Sequence, residues 1–178
     1  MTTVSRTRWF GCILVTLVAS GMDRSLGAWA HRVGQACPEI VGVHAHFSDA
    51  DTNAILDRDE DGVVETRRIS GADEIQESVG GVTVRVGPTD FFQTHPAVAD
   101  QLVRHVVGAV DVGPVLDLYC GVGAMTLALA AKCGWAMGVE EGAAAVDRAR
   151  RSANDGGWPA EFLRGDRKST RLNSSHRT

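Results

Sequence analysis

A glycine-rich turn between an apolar run and a helical run is the feature that most constrains the fold. Residues 115–119 read Val-Leu-Asp-Leu-Tyr and predict a buried strand, and Gly121 and Gly123 follow it closely. The next residues, 125–132, predict a helix. A strand, a glycine turn and a helix in this order aim backbone N–H groups at the carboxyl edge of a parallel sheet, where the adenosine part of a cofactor can lie.

The following residues continue the alternation of strands and helices. A second strand is predicted over residues 136–139 and ends in Glu140, a second helix over residues 143–154, and a third strand over residues 160–163. This order is typical of a doubly wound α/β sheet. The carboxylate of Glu140, at the end of the second strand, is placed to accept hydrogen bonds from both hydroxyls of a ribose.

Two residues favour S-adenosyl-L-methionine over a nicotinamide cofactor. Thr126 stands where a G-x-G-x-x-G motif has its third glycine, and Asp117 precedes the loop, where it could face a positively charged ligand. A pyrophosphate would be repelled by that carboxylate, whereas a sulfonium would not. Asp117 could instead cap a helix or orient the loop, and an NAD-dependent Rossmann oxidoreductase is the alternative function.

The amino-terminal part also predicts a mixed α/β unit. Strands are predicted over residues 12–18, 40–46, 75–79 and 82–86, the last two joined by a Gly-Gly turn, and helices over residues 23–36 and about 96–110. The acidic loop at residues 47–62 resembles part of a calcium loop. It lacks an acid at the twelfth position that such a loop requires, so no metal is predicted.

The first thirty residues support two interpretations. Arg6 and Arg8 precede the apolar run 9–19, and Ala-Trp-Ala follows at residues 28–30, as in a signal peptide. The same run is equally a buried strand, which we favour, and it is too short to span a membrane. A secreted, non-catalytic α/β module is therefore a second alternative.

Charge and cysteine content give weaker indications. The four cysteines have no CxxC spacing, which favours reduced thiols in the cytoplasm, and Cys120 is interpreted as a packing thiol. His44 and His46 share a strand face without a third ligand and are interpreted as structural.

The net charge of -4 does not indicate a basic surface that binds nucleic acid. The clustered arginines are interpreted as a solvated helix face: Arg148, Arg150, Arg151 and Arg164.

Four segments together resemble the bacterial RNA 5-methyluridine (uracil-5-) methyltransferases. They are Asp-Phe-Phe-Gln-Thr-His-Pro at 90–96, Val-Leu-Asp-Leu-Tyr-Cys-Gly-Val-Gly at 115–123, Gly-Val-Glu at 138–140 and Arg-Gly-Asp at 164–166. Residues 41–43 and 51–55 resemble the central domain of that family. His95 departs from the family, in which many members have Asn at this position.

The resemblance implies the cofactor contacts and a reaction. It implies that adenosylmethionine is contacted by Gln93, Tyr119, Glu140 and Asp166, with Gly121 and Gly123 forming the loop around it. In this family a cysteine attacks C6 of a uridine, C5 takes the methyl group, and a carboxylate helps remove the C5 proton. Both catalytic groups lie beyond the third strand in the family, and Cys120 aligns with neither. No catalytic residue is therefore assigned here.

The expected architecture is an incomplete, Rossmann-like class I methyltransferase domain preceded by a small α/β central domain remnant. The predicted divisions are residues 1–88 for the remnant, 89–166 for the amino-terminal half of the methyltransferase domain, and 167–178 for a non-native tail that resembles a translated sequencing adapter. We expect a cytoplasmic, monomeric parent enzyme that acts on ribosomal or transfer RNA without a membrane. The chain itself is expected to show no turnover.

Overall fold

The computed structural model describes residues 11–48, 56 and 64–165. The predicted tail, Asp166 and most of the acidic loop lie outside these residues. The chain forms eight strands and four helices within them. In chain order they are β1 (Ile13–Ala19), α1 (Leu26–Ala36), β2 (Ile40–Phe47), β3 (Arg67–Gly71), β4 (Ile75–Val79), β5 (Val82–Val86), α2 (Pro96–Ala109), β6 (Val115–Leu118), α3 (Ala124–Cys133), β7 (Ala136–Glu140), α4 (Ala143–Gly156) and β8 (Ala160–Arg164).

The first sheet is built from the amino-terminal apolar runs. β1 and β2 pair in parallel, with α1 as their crossover, and β3 adds an antiparallel edge strand. Val15, Ala30 and Val43 lie in one buried cluster between the sheet and α1. This confirms the buried-strand interpretation of residues 12–18.

β3 is an element that the sequence did not predict. Its residues, Arg-Arg-Ile-Ser-Gly, have no apolar alternation because the strand lies at the sheet edge with its arginines exposed. Gly71 has a φ of 73°, and an added Cβ would lie 2.0 Å from the carbonyl oxygen of Val41. Only glycine therefore fits where β3 ends against β2.

The β4–β5 hairpin was predicted at its observed bounds. Gly80 and Gly81 have φ values of 61° and 87°, as a two-residue turn between antiparallel strands requires. The buried face of the hairpin, including Val82 and Val84, shares one core with Leu127 of α3 and with α4. The hairpin thus packs against α3 and α4. The division into two domains at residue 88 stays a prediction.

The second sheet is parallel, with strand order β6-β7-β8, as the sequence predicts for an α/β fold. α3 and α4 both pack on one face, where Leu127, Val146, Ala149 and Phe162 belong to the main core cluster. Because β6 and β7 run parallel, their carboxyl ends lie at the same edge of the sheet, where the glycine loop begins. No helix in the part of the chain that the structure describes is long and apolar enough to cross a membrane.

Candidate cofactor-binding site

The loop between β6 and α3 has the backbone of a ligand cradle. Gly121 and Gly123 both have positive φ, at 56° and 84°, and the N–H of Gly123 donates to the carbonyl of Cys120 at 2.9 Å. An added Cβ at Gly123 would lie 2.6 Å from the Phe162 ring, whereas at Gly121 it would meet nothing within 4 Å. Gly123 is therefore required by packing, and Gly121 leaves open space beside the loop.

Glu140 joins this loop to the next one. Its Oε2 accepts the N–H of Gly121 at 3.1 Å, and its Oε1 accepts the N–H of Gly142 at 2.9 Å. The two glycines orient the carboxylate at the end of β7. A carboxylate has about four acceptor positions, so Glu140 retains capacity for two further hydroxyl donors.

Asp117 is directed toward α3. The hydroxyl of Thr126, which is fully buried, donates to Asp117 Oδ2 at 2.6 Å. Burial raises the pKa of the Asp117 carboxyl, and the hydrogen bond from Thr126 opposes that rise. The bond ties the first turn of α3 to β6, as the loop-orienting alternative requires, and a direct contact between Asp117 and a ligand stays a prediction.

Tyr119 is the one non-glycine residue with positive φ among those the structure describes, at 61°. A bulky side chain in the left-handed region is an outlier that costs free energy, and such residues concentrate at functional sites. Its side chain is 86% exposed at the carboxyl end of β6. The phenol is therefore presented beside the loop rather than packed into the core.

Gln93 lies in the segment that joins β5 to α2, and its side chain is exposed. The neighbouring Phe92 packs against the main core, whereas Phe91 is exposed. His95 caps α2 by accepting the N–H of Val98 at 3.4 Å, so this departure from the family has a structural role. Among the implied contacts, Asp166 lies outside the described residues.

Cys120 and the two strand histidines have structural surroundings. Burial, followed by the charges of Asp117 and Glu140, raises the pKa of the Cys120 thiol to about 12, as suits a packing thiol. His44 and His46 are buried, and their ring nitrogens hydrogen-bond the carbonyls of Ala72 and Glu65, at 3.0 and 2.8 Å respectively. The described residues hold no group of three potential metal ligands.

The interpretation of the arginine cluster as a solvated face was wrong for Arg148. Its side chain is only 13% exposed and forms an ion pair with Asp90, whose side chain is 5% exposed. Burial raises the pKa of Asp90, and the Arg148 charge lowers it. The spacing along the helix could have indicated that Arg148 is buried, because Arg148 lies one turn before Ser152 and next to Ala149, and both of these residues are buried.

Known proteins with sequences similar to this chain are RNA methyltransferases. No family model matches the chain. It is 49% identical over 79 residues to a 23S rRNA (uracil(1939)-C(5))-methyltransferase of Methylococcus capsulatus, which covers 43% of this chain and 18% of the relative. It is 30% identical over 162 residues to an RNA methyltransferase of Parasynechococcus marenigrum, covering 88% of this chain and 34% of the relative.

A solved structure extends the likeness to the fold. The tRNA (uracil-54, C5)-methyltransferase of Pyrococcus abyssi, in complex with S-adenosyl-L-homocysteine, superposes with a TM-score of 0.65 at 23% identity, over 86% of this chain and 36% of that one. The fold is thus that of a Rossmann-like methyltransferase. Among the relatives, those of Methylococcus capsulatus and Pyrococcus horikoshii are named 23S rRNA uracil-C5 methyltransferases, and the chain is similar to a segment of each. The chain spans about a third or less of the length of these relatives.

Proposed function

We propose that the loop between β6 and α3, together with Glu140, binds the adenosine part of S-adenosyl-L-methionine. The carrying observation is the double anchoring of the Glu140 carboxylate by the N–H groups of Gly121 and Gly142. Both glycines belong to loops at the same sheet edge, so the carboxylate is oriented before any ligand arrives. Preorganised acceptors of this kind suit the paired hydroxyls of a ribose.

The remaining predicted contacts extend the site from the ribose to the amino acid part. The Gly121 backbone leaves open space for close approach. The exposed ring of Tyr119 can pack against an apolar part of the cofactor, and the Gln93 amide can hydrogen-bond its amino acid group. Asp117 orients the loop through Thr126. These side-chain types fit adenosylmethionine, which supplies an activated methyl group when bound.

For the whole protein we propose methyl transfer to C5 of a uridine in ribosomal or transfer RNA. The support is the sequence likeness to relatives that are named for this reaction on 23S rRNA. A cytoplasmic, monomeric enzyme suits such a substrate. None of the four cysteines is assigned as its nucleophile, and Cys120 is held as a thiol by its raised pKa. We therefore expect the 178-residue chain to bind the cofactor without transferring the methyl group.

The test is calorimetric titration of the chain with S-adenosyl-L-homocysteine and, separately, with NAD. We expect binding of the first and none of the second. Glu140→Ala should weaken binding at least about tenfold, because hydrogen bonds to a charged group contribute about 1.5–3 kcal/mol each. Glu161→Ala is the matched control, since Glu161 is an exposed acid on β8 that pairs in register with Met137.

Two results would contradict the proposal. Binding of NAD but not of S-adenosyl-L-homocysteine would favour the oxidoreductase alternative. Equal affinities of Glu140→Ala and the unmodified chain would remove Glu140 from the site.

A further inference from the structure

The segment at residues 87–95 contains the exposed Gln93. A buried ion pair between Asp90 and Arg148 of α4 anchors this segment. Nη1 of Arg148 lies 3.1 Å from Oδ1 and 3.0 Å from Oδ2 of Asp90. Asp90 Oδ2 also accepts the N–H of Gly87 at 2.7 Å. A pair this deeply buried contributes little net stability, because the cost of desolvation offsets the attraction. The more substantial consequence of the pair is that it fixes the position of residues 87–90 against α4.

Gly87 provides the seat for the guanidinium. A Cβ added at Gly87 would lie 2.3 Å from both Cζ and Nη2 of Arg148. The guanidinium therefore occupies the space that a side chain at Gly87 would fill, and its Nη1 pairs with the Asp90 carboxylate. The next residue of the segment, Pro88, is bound from β1, because the Thr16 hydroxyl donates to its carbonyl at 3.4 Å. The segment is thus fixed between β1 and α4.

The same helix is fixed to Glu140. Arg148 lies in the second turn of α4, and the helix begins directly after Gly142, whose N–H donates to Glu140 at 2.9 Å. Gln93 lies three residues beyond Asp90, a span of at most about 11 Å of extended chain. A short path through the ion pair therefore connects the two proposed cofactor contacts, Gln93 and Glu140.

We propose that the Asp90–Arg148 pair, seated on Gly87, is a clamp that positions Gln93 relative to Glu140. The inference rests on the proposed adenosylmethionine site and concerns how its two ends are held at a fixed separation. Asp90 and Arg148 are positioning residues, because they act through Gln93 rather than on the cofactor. Loss of the clamp leaves Gln93 in several positions, so that ordering it opposes binding.

The experiment is a titration of the 178-residue chain with S-adenosyl-L-homocysteine, combined with a double-mutant cycle. Arg148→Gln should weaken binding about tenfold, within the range that coupled neighbours show. Gln93→Ala should cost a similar factor, and the double variant should lose little more than either single variant. A purely structural role of Arg148 would not produce this non-additivity, because it would not depend on the Gln93 side chain.

Arg151→Gln is the matched control for the ion pair. Arg151 lies on the same helix and bonds Glu74, which Arg148 also approaches at 3.6 Å, but its side chain is half exposed. We expect its affinity to stay within about twofold of the unmodified chain, because exposed ion pairs contribute little. Thermal unfolding of each variant separates loss of fold from loss of binding.

The possible outcomes distinguish failure of the clamp alone from failure of the proposed cofactor site. Unchanged affinity in Arg148→Gln, or additive losses in the cycle, would overturn the clamp. Should Arg148→Gln not fold, Gly87→Ala displaces the guanidinium while keeping both charges, and unchanged affinity in that variant would overturn the clamp as well. If the unmodified chain binds no S-adenosyl-L-homocysteine, or binds it independently of Glu140, the proposed function fails and the clamp fails with it. Binding that needs Glu140 but not Arg148 rejects the clamp alone.

Discussion

Cys120 shows how the environment of one residue decides its chemistry. It belongs to the loop between β6 and α3 and packs against the main core, and an added Cβ on Gly138 would lie 2.7 Å from its sulfur. Burial and two carboxylates raise the pKa of the thiol to about 12. Only the thiolate attacks an alkylating agent, so at pH 8 roughly one part in ten thousand of the folded chain is reactive at Cys120.

We therefore predict that brief treatment with iodoacetamide at pH 8 leaves Cys120 unmodified in the folded chain. Mass spectrometry of the digested protein measures this directly. The same treatment in urea should modify Cys120 at the rate of an ordinary exposed cysteine, which provides the control. Equal rates with and without urea would contradict the packing role of this thiol.

The β4–β5 hairpin shows how one element is anchored through its turn. The Gly80 N–H donates to Asp100 of α2 at 2.7 Å, and an added Cβ at Gly80 would lie 2.2 Å from Val103 Cγ1. At Gly81 an added Cβ would meet nothing within 4 Å, although φ is positive there too. The two glycines therefore share a backbone requirement and differ in packing.

Gly80→Ala should consequently destabilise the chain more than Gly81→Ala. The strain of positive φ costs about 1–2 kcal/mol in both variants, and overpacking against α2 adds about 1–3 kcal/mol at Gly80 alone. Urea unfolding followed by circular dichroism measures both free energies of unfolding. Equal losses would mean that the turn does not pack on α2 as described.

Elements with a clear apolar period were predictable from the sequence, and those set by tertiary contacts were not. β6, β7 and their helices were predicted to within about two residues because glycines bound each apolar run. β3 was missed because an edge strand needs no apolar alternation. At the site, the position of Glu140 followed from strand order. The burial of Arg148 depends on Asp90, which is 58 residues away in the chain.

At the scale of the whole molecule, the second sheet has two unlike faces. One is covered by α3 and α4, and the other carries Leu116 and Leu118, each 59% exposed, and Leu163, 48% exposed. The register aligns Leu118, Val139 and Leu163 in one row across the three strands. Exposed apolar rows of this kind promote association, and β6 also lies at the edge of the described sheet.

We therefore predict that the 178-residue chain self-associates as its concentration rises, and that Leu118→Lys reduces the association. A lysine at position 118, the β6 end of the row, would have to be desolvated in any contact between two such faces, which costs free energy. Light scattering after size exclusion gives the mass at each concentration. Val112→Lys is the matched control, because Val112 is more exposed but lies in the loop before β6, away from the row. If both variants lowered the mass equally, added charge alone would account for the effect and the leucine face would not be the contact.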